Sequence, residues 1–249
     1  MDKDNLLIAR IEDGIVLSTK TQYPHFIGFL NEHEQVLALQ YLSGRKGVRY
    51  STFGGYPDSE RKLLAITDNY GVIEEYTYPI NAIYFQYDSR YQLTHRDFLG
   101  SMMALGIKRE AVGDILVADG MAIVFVKEEI KDYIISQIQK IGRTGVTLSE
   151  WDSSMPLPLT KHFEEHTYTV ASARLDSIVS AVVQLSREKS AVLIRQGMVF
   201  VNGLEIKNIS HNIKSKDIIS VRGKGKFMVE TFSGTTRKGR LKMDIRKYR

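Results

Sequence analysis

The chain has 249 residues, 43% of them apolar, which is enough to bury the cores of one to three domains. It contains no cysteine, which excludes disulfide bonds, thiolate metal sites and cysteine nucleophiles within this sequence. No apolar run reaches the length of about 18 residues that a membrane span needs, and the first residues lack the features of a signal peptide. We therefore expect a soluble, cytoplasmic protein.

The net charge of +5 is unevenly distributed along the chain. Residues 171–249 carry 17 Lys and Arg against 6 Asp and Glu, whereas residues 1–170 carry 17 against 23. Such asymmetry is typical of a polyanion-binding end joined to an acidic body.

The first 78 residues are predicted to be a mostly helical region. Apolar residues recur at helical spacing from Leu6 onward, and residues 1–45 are predicted to be helical. A second helix is expected to begin after Asn31, an N-cap residue that Glu34 follows three positions later.

A turn and an apolar run complete this region. The sequence Gly54-Gly55-Tyr56-Pro57-Asp58 is a turn signal within a longer segment, residues 54–62, that also carries basic residues. This segment is either a structural turn or a contact for RNA or a partner. For the run from Leu63 to Ile66, the pattern leaves helix and strand open.

Residues 79–152 are predicted to form a ferredoxin-like domain with the order β-α-β-β-α-β. The expected elements are a strand over 80–87, a helix capped by Thr94, a hairpin that turns at Asp119-Gly120, a helix over 127–141 and a strand over 144–150. Helices on one face of an antiparallel sheet leave the other face free for a ligand.

A linker with a connecting strand is predicted over residues 153–170, which include Pro156 and Pro158. A small basic α+β module follows over 171–249. Its first helix carries an apolar stripe from Leu175 to Leu185.

The second helix of this module has clear end signals. Ser186 is its predicted N-cap, and Gly197 is the residue that ends it. Asn202-Gly203, flanked by short apolar runs, is the strongest short hairpin signal in the chain. The module therefore reads as two helices followed by strands.

Basic residues recur around this helix pair. Helix geometry places Arg187 and Arg195 roughly 80° apart around the axis and two turns apart along it, so that they flank one phosphate track. Ser186 adds a hydroxyl at a helix N-terminus, where free N–H groups favour anions. Arg174, at the start of the first helix, is expected to join the same surface.

This stretch resembles the S-four (S4) domain, an RNA-binding module named after a protein of the small ribosomal subunit. Its motifs occur in the family's order and spacing at 174–176 (Arg-Leu-Asp), 186–187 (Ser-Arg), 195–197 (Arg-Gln-Gly) and 201–203 (Val-Asn-Gly). The resemblance implies an RNA-binding face on or beside Arg174, Ser186, Arg187, Lys189, Arg195 and Asn202, and we add Arg222 and Lys224 to this predicted set. Lys216 departs from the glycine often found at its position, which is expected to alter a turn and not the binding face.

The last residues are predicted to form a basic β-hairpin that extends the electropositive surface. Alternation places Leu241, Met243 and Ile245 on one face and Arg240, Lys242 and Arg246 on the other. The alternative is a disordered basic tail.

Enzyme signatures of several classes are incomplete or missing. The sequence lacks the motif sets of tyrosyl-tRNA synthetases, pseudouridine synthases, methyltransferases and kinases, and its six histidines have no metal-ligand spacing. We therefore expect no catalytic site, no metal and no cofactor.

Taken as a whole, the chain resembles the YlmH family of Gram-positive and related bacteria. The residues that carry this resemblance are Phe53 to Lys62, His95 to Gly100, Leu105 to Glu110 and Gly113 to Ile115. The resemblance implies an RRM-like central domain and a C-terminal S-four domain. It also implies a place in ribosome-associated quality control, with binding to large subunits that carry stalled peptidyl-tRNA, and a genetic link to cell division.

An RRM-like sheet binds bases by stacking them on aromatic residues of its central strands. Here the third strand offers a single aromatic residue, Phe125, and Tyr84 and Phe85 of the first strand must face opposite sides. Packing of this sheet face into a core is therefore the favoured alternative.

The function predicted from these observations is non-enzymatic binding of structured rRNA or tRNA on the large ribosomal subunit. One alternative is an RNA-modifying enzyme with residues 1–165 as its catalytic domain and Asp58, Glu60 and Asp97 as candidate acids. Another is a scaffold for cell-division proteins.

Overall fold

The structure is a computed structural model that describes residues 3–68, 70–158, 163–237 and 239–248. Its class is α+β, as expected, and the chain divides into two compact units, Met1–Leu159 and Thr160–Arg249. The boundary that the sequence predicts after residue 78 falls inside the first unit. Residues 159–162 of the predicted linker lie outside the described residues.

The N-terminal part of the first unit mixes helices and strands. Its elements are α1 (Lys3–Thr21), β1 (His25–Leu30), α2 (Glu32–Ser43), β2 (Val48–Phe53) and β3 (Lys62–Asp68), and the strands form an antiparallel sheet in the order β1-β3-β2. The prediction of a mostly helical region is therefore wrong at β1, a short apolar run enclosed by Pro24 and Asn31. The undecided run from Leu63 to Ile66 is a strand, and it is fully buried because both faces of its sheet are covered.

The start of α2 agrees with the predicted capping box. The Asn31 side chain accepts a hydrogen bond from the Glu34 backbone N–H at 3.0 Å, and the Glu34 carboxylate accepts one from the Asn31 N–H at 2.7 Å. Two N–H groups without helical partners are satisfied in this way, so α2 begins where the local sequence predicts.

The remainder of the first unit contains a four-stranded antiparallel sheet. Its elements are β4 (Ile80–Gln86), α3 (His95–Ala104), β5 (Val112–Ala118), β6 (Met121–Lys127), α4 (Glu128–Gln137), β7 (Lys140–Ile141), β8 (Thr144–Gly145) and β9 (Thr147–Glu150). The strand order is β5-β6-β4-β9, and β7 and β8 form a separate small hairpin.

The second helix of this part is shorter than the sequence predicts. Helix α4 ends at Gln137, whereas apolar spacing predicts helix as far as Ile141. Ile138 and Ile141 are buried, but they reach the core from an extended segment and from β7. Gly142, whose φ is +59°, turns the chain into β8. Helical spacing of apolar residues thus continues beyond the helix itself.

Both faces of the four-stranded sheet are covered. On one face, Phe85 and Val124 pack with Phe98 of α3 and Ile134 of α4. The opposite face is not free for a ligand: it packs against the N-terminal sheet, in agreement with the favoured prediction of core packing.

The second face is closed mainly by aromatic and aliphatic side chains. Ile123 and Phe125 of β6 are 0% and 1% exposed and lie in one core with Phe29 of β1 and Leu63 of β3. The Tyr56 ring packs on the Phe125 ring with centroids 5.0 Å apart and a tilt of 34° between the ring planes. A base could reach this face only if the two sheets separated.

The second unit is a helix pair with a six-stranded antiparallel sheet. Its elements are β10 (Phe163–Val170), α5 (Leu175–Val183), α6 (Arg187–Arg195), β11 (Val199–Val201), β12 (Leu204–Glu205), β13 (Ile218–Val221), β14 (Gly225–Thr235) and β15 (Leu241–Tyr248). The strand order is β10-β15-β14-β13-β11-β12. The predicted hairpin extension is therefore an ordered part of the sheet, and the alternative of a disordered tail is wrong for the described residues.

None of the helices in the described part of the chain is both long and apolar enough to cross a membrane.

Candidate nucleic-acid interface

The turn between α5 and α6 is built by local signals. Gln184 ends α5 in a left-handed conformation with φ +56°. Ser186 then caps α6, as predicted, and its hydroxyl oxygen accepts the Lys189 backbone N–H at 3.3 Å. Gly197, with φ +69°, follows the C-terminal end of α6. The first and last residues of α6 are therefore Arg187 and Arg195.

One buried carboxylate holds two of the predicted arginines. Asp176, in the first turn of α5, accepts hydrogen bonds from Arg174 Nε at 3.1 Å and Nη2 at 3.3 Å. Arg187 Nη2 donates to the same carboxylate at 2.7 Å. The Asp176 side chain is 8% exposed, while those of Arg174 and Arg187 are 41% and 51% exposed. The starts of both helices thus carry half-exposed cations over a buried anion.

Asp176 is ionised in this arrangement. Burial by itself would raise its pKa, but the hydrogen bonds from Arg174 and Arg187 outweigh that effect and hold the pKa below its ordinary value. In the sequence, Asp176 stands out only as part of the Arg-Leu-Asp motif at 174–176 and has no predicted role of its own. The signal that could have found it is an acidic residue within an otherwise basic surface.

Other predicted residues carry cations without acidic partners. Lys189, Arg195 and Lys224 are exposed, and among the described residues their side chains make no hydrogen bond or ion pair. The Arg222 guanidinium lies over the Phe200 ring, 4.9 Å from its centroid. These residues supply positive charge that no acidic side chain in the described chain neutralises by direct contact.

Asn202 has structural contacts in the β-hairpin. Asn202 and Gly203 both have positive φ, +49° and +79°, as a two-residue hairpin turn requires. The Asn202 side chain donates to Asp217 at 2.9 Å and accepts the Ile218 backbone N–H at 2.8 Å. Its amide therefore joins two turns, and its contact with RNA stays a prediction.

The departure from the family pattern at Lys216 lies in a turn. Lys216 has φ +72°, a conformation that favours glycine. Its backbone N–H donates to the Val229 carbonyl at 2.6 Å, and its ammonium group pairs with Glu230. A lysine thus occupies a left-handed position that tertiary contacts maintain.

The C-terminal strand is less electropositive than its composition predicts. Met243 and Ile245 are buried, as the alternation requires, but Arg246 pairs with Glu165 at 3.0 Å and with Glu230 at 2.9 Å. Lys242 is exposed on the same strand. The acidic partners on β10 and β14 therefore neutralise one end of the strand that was expected to extend the basic surface.

The segment over residues 54–62 is an anchored turn. Asp114 of β5, which is 8% exposed, accepts hydrogen bonds from the Tyr56 hydroxyl at 2.7 Å and from the backbone N–H groups of Glu60 and Arg61 at 2.6 and 2.9 Å. A Cβ atom at Gly54 would lie 2.2 Å from the Arg61 carbonyl oxygen, so this position requires glycine. These contacts agree with the structural interpretation of the segment.

The candidate acids of the enzyme alternative lie at the surface. Asp97 accepts hydrogen bonds from the Thr94 backbone N–H at 2.8 Å and from the Thr94 hydroxyl at 2.7 Å at the start of α3. Asp58 and Glu60 are exposed. Across the described ranges, no group of three or more acidic or histidine side chains is placed to hold a metal ion.

The helix pair, its exposed cations and the sheet behind it define an RNA-binding module of the S-four class, and the S4 domain model matches residues 173–219. A second family model, described as the putative RNA-binding domain in YlmH, matches residues 74–155. The chain is 30% identical over 217 residues to the ribosome-associated protein quality control protein P2 of Bacillus subtilis (strain 168), which covers 86% of this chain and 84% of that protein. The chain belongs to the YlmH family.

A solved structure with a related sequence is the cell division protein ylmH from Streptococcus pneumoniae. The two chains are 26% identical. The match covers 61% of this chain and 89% of the solved chain, with a TM-score of 0.49.

Proposed function

We propose that this protein is a non-enzymatic RNA-binding protein of the cytoplasm that binds structured rRNA or tRNA on the large ribosomal subunit. Its role would be in quality control of ribosomes that carry stalled peptidyl-tRNA. The observation that carries the proposal is the set of exposed cations at the ends of α5 and α6, within a segment that matches the S4 domain. The name of the Bacillus subtilis relative supports the ribosomal part.

In this proposal the RNA contact lies in the second unit. Its ligands would be Arg174, Ser186, Arg187, Lys189, Arg195, Asn202, Arg222 and Lys224. Lysine and arginine side chains bind phosphates without regard to sequence, so specificity would come from the shape of the folded RNA. Affinity is then expected to fall by orders of magnitude between low and moderate salt.

The proposed division of the chain follows the sequence prediction, with a central domain over 79–152 and an S-four domain with its extension over 171–249. A ferredoxin-like assignment of the central domain is supported by the strand order β5-β6-β4-β9 and by the helices that join these strands. Because the N-terminal sheet covers its second face, we expect this domain to bind no base on its strands.

Charge reversal of two residues tests the proposal. Among the described residues the Lys189 and Arg195 side chains make no hydrogen bond or ion pair, so Lys189→Glu/Arg195→Glu removes positive charge from α6 without breaking an ion pair. Reversal at Arg187 would instead place a second carboxylate beside Asp176. Co-sedimentation of the full chain with large ribosomal subunits of Bacillus subtilis is the measurement.

The matched control is Lys20→Glu/Lys46→Glu, which makes the same change in net charge on exposed residues of the first unit. We expect the α6 variant to lose association by at least about tenfold and the control to retain it. Equal loss in both variants, or retention in both, would reject the second unit as the RNA-binding end.

A further inference from the structure

The carboxylate of Asp176 ties together the starts of two helices. Arg174 immediately precedes α5, and Arg187 is the first residue of α6, yet both guanidinium groups donate to this one side chain. The backbone around Asp176 is itself held in place, because the Leu175 N–H donates to the His211 carbonyl at 2.8 Å and the Asp176 N–H to that of Ile209 at 3.1 Å. The backbone at the start of α5, which carries Asp176, is therefore anchored to the loop between β12 and β13.

The arrangement leaves donors available to a ligand. A guanidinium group has more N–H donors than these contacts use, since Arg174 donates through Nε and Nη2 and Arg187 through Nη2 alone. Within the described residues, neither arginine side chain makes a hydrogen bond to any other group. Two cations over one anion also leave the cluster with a net positive charge.

A side chain that the fold already immobilises loses less conformational entropy on binding a ligand than a mobile side chain does. Arginine side chains lose substantial rotamer freedom when they are immobilised on a ligand. At Arg195 and Lys189, which have no internal partner among the described residues, binding must meet that entropy loss in full. At Arg174 and Arg187, much of this entropy has already been lost when the second unit folds, because both side chains are held by Asp176.

We propose that Asp176 is a positioning residue for RNA: it fixes Arg174 and Arg187 as a rigid pair that receives a phosphate of the RNA backbone. This inference rests on the proposed function, because it assumes that these arginines face RNA. Asp176 itself does not touch the ligand in this account. It acts by presenting the two guanidinium groups in one geometry.

Simple electrostatics predicts the opposite effect for Asp176. A negative charge beside an RNA-binding surface repels phosphate, so its removal should strengthen binding. Glu188 provides the comparison, because it lies in the first turn of α6 next to Arg187, is exposed, and makes no side-chain hydrogen bond or ion pair among the described residues. Glu188→Gln removes the same charge without altering an arginine.

The experiment measures the affinity of full-length Asp176→Asn, Asp176→Glu and Glu188→Gln for Bacillus subtilis large subunits and for a fluorescent RNA hairpin, over a range of salt. We expect Asp176→Asn to bind about tenfold more weakly, with a shallower salt dependence, and Glu188→Gln to bind as tightly as the parent or more tightly. Asp176→Glu keeps the charge and should recover part of the loss. Equal or tighter binding by Asp176→Asn would overturn the inference, whereas a parent protein that binds neither RNA would overturn the proposed function.

A measurement on the unaltered protein keeps the test decisive if Asp176→Asn fails to fold. NMR relaxation of the arginine side-chain Nε–H groups should report restricted motion for Arg174 and Arg187 and free motion for Arg195, before any RNA is added. If all three arginines were equally mobile, Asp176 would hold neither in place and the inference would be wrong.

Discussion

The Tyr56 hydroxyl donates a hydrogen bond to Asp114 Oδ2 across 2.7 Å, and both residues are buried. Tyr56 belongs to the loop between β2 and β3, and Asp114 belongs to β5. Burial, followed by the nearby Asp114 charge, raises the pKa of Tyr56, so the phenol remains a donor at any physiological pH. This hydrogen bond joins the N-terminal sheet to the central sheet.

Tyr56→Phe is expected to destabilise the first unit by about 1–3 kcal/mol, because the buried Asp114 carboxylate loses one donor. Urea denaturation followed by the fluorescence of Trp151, in the same core, measures the change. RNA affinity should stay at the parent value, since Tyr56 lies outside the second unit. An unchanged stability would mean that the loop is not anchored through this pair.

A second prediction concerns the face of the central sheet that the N-terminal sheet covers. Phe125→Ala should lower stability by about 3–5 kcal/mol, because it opens a cavity between the two sheets of the first unit. Tyr133→Ala on α4, where the side chain is 47% exposed, is the control and should change stability little. Measured where both variants are folded, RNA affinity should match that of the parent. Selective loss of RNA binding in Phe125→Ala would show that bases do reach this face.

The depressed pKa of Asp176 predicts a pH dependence of stability. Because the pKa is lower in the folded state, ionised Asp176 stabilises the fold above its ordinary value of 3.8, and this stabilisation is lost as pH falls below that value toward the folded-state pKa. Asp176→Asn should therefore remove part of the acid sensitivity of the second unit. Urea denaturation at several pH values below 5 would measure it, and parallel curves for parent and variant would contradict the shift.

Lys216 offers a test of backbone strain. Both Lys216→Gly and Lys216→Ala delete the ion pair with Glu230, but only glycine adopts φ +72° without strain. Lys216→Gly is therefore expected to be more stable than Lys216→Ala by about 1 kcal/mol. Thermal unfolding of the two variants compares them directly. Equal melting temperatures would mean that the turn relaxes in the alanine variant.

Features that depend on neighbouring residues were predictable from the sequence. The caps at Asn31 and Ser186 and the hairpin at Asn202-Gly203 are each fixed by side chains within a few positions, and the structure has all three. The end of α4 was not predictable in this way, because Ile141 keeps the helical spacing while it lies in a hairpin.

The partners of features that depend on distant residues were missed. Core packing of the face that carries Phe125 was the favoured prediction, but the sheet that covers this face forms some sixty residues or more earlier in the chain, which no local pattern reports. The neutralisation of Arg246 by Glu165 and Glu230 depends likewise on which strands become neighbours. Asp176 was recognised only as part of a motif. Its two arginine partners, Arg174 and Arg187, precede and follow helix α5 in the sequence, so no local pattern pairs both of them with Asp176.

We expect RNA to contact the second unit and not the sheet of the first. Ultraviolet crosslinking of the full-length protein to Bacillus subtilis large subunits, followed by mass spectrometry of the crosslinked peptides, tests it most directly. We predict crosslinks within residues 171–224, centred on the ends of α5 and α6. Crosslinks confined to residues 74–155 would contradict the account.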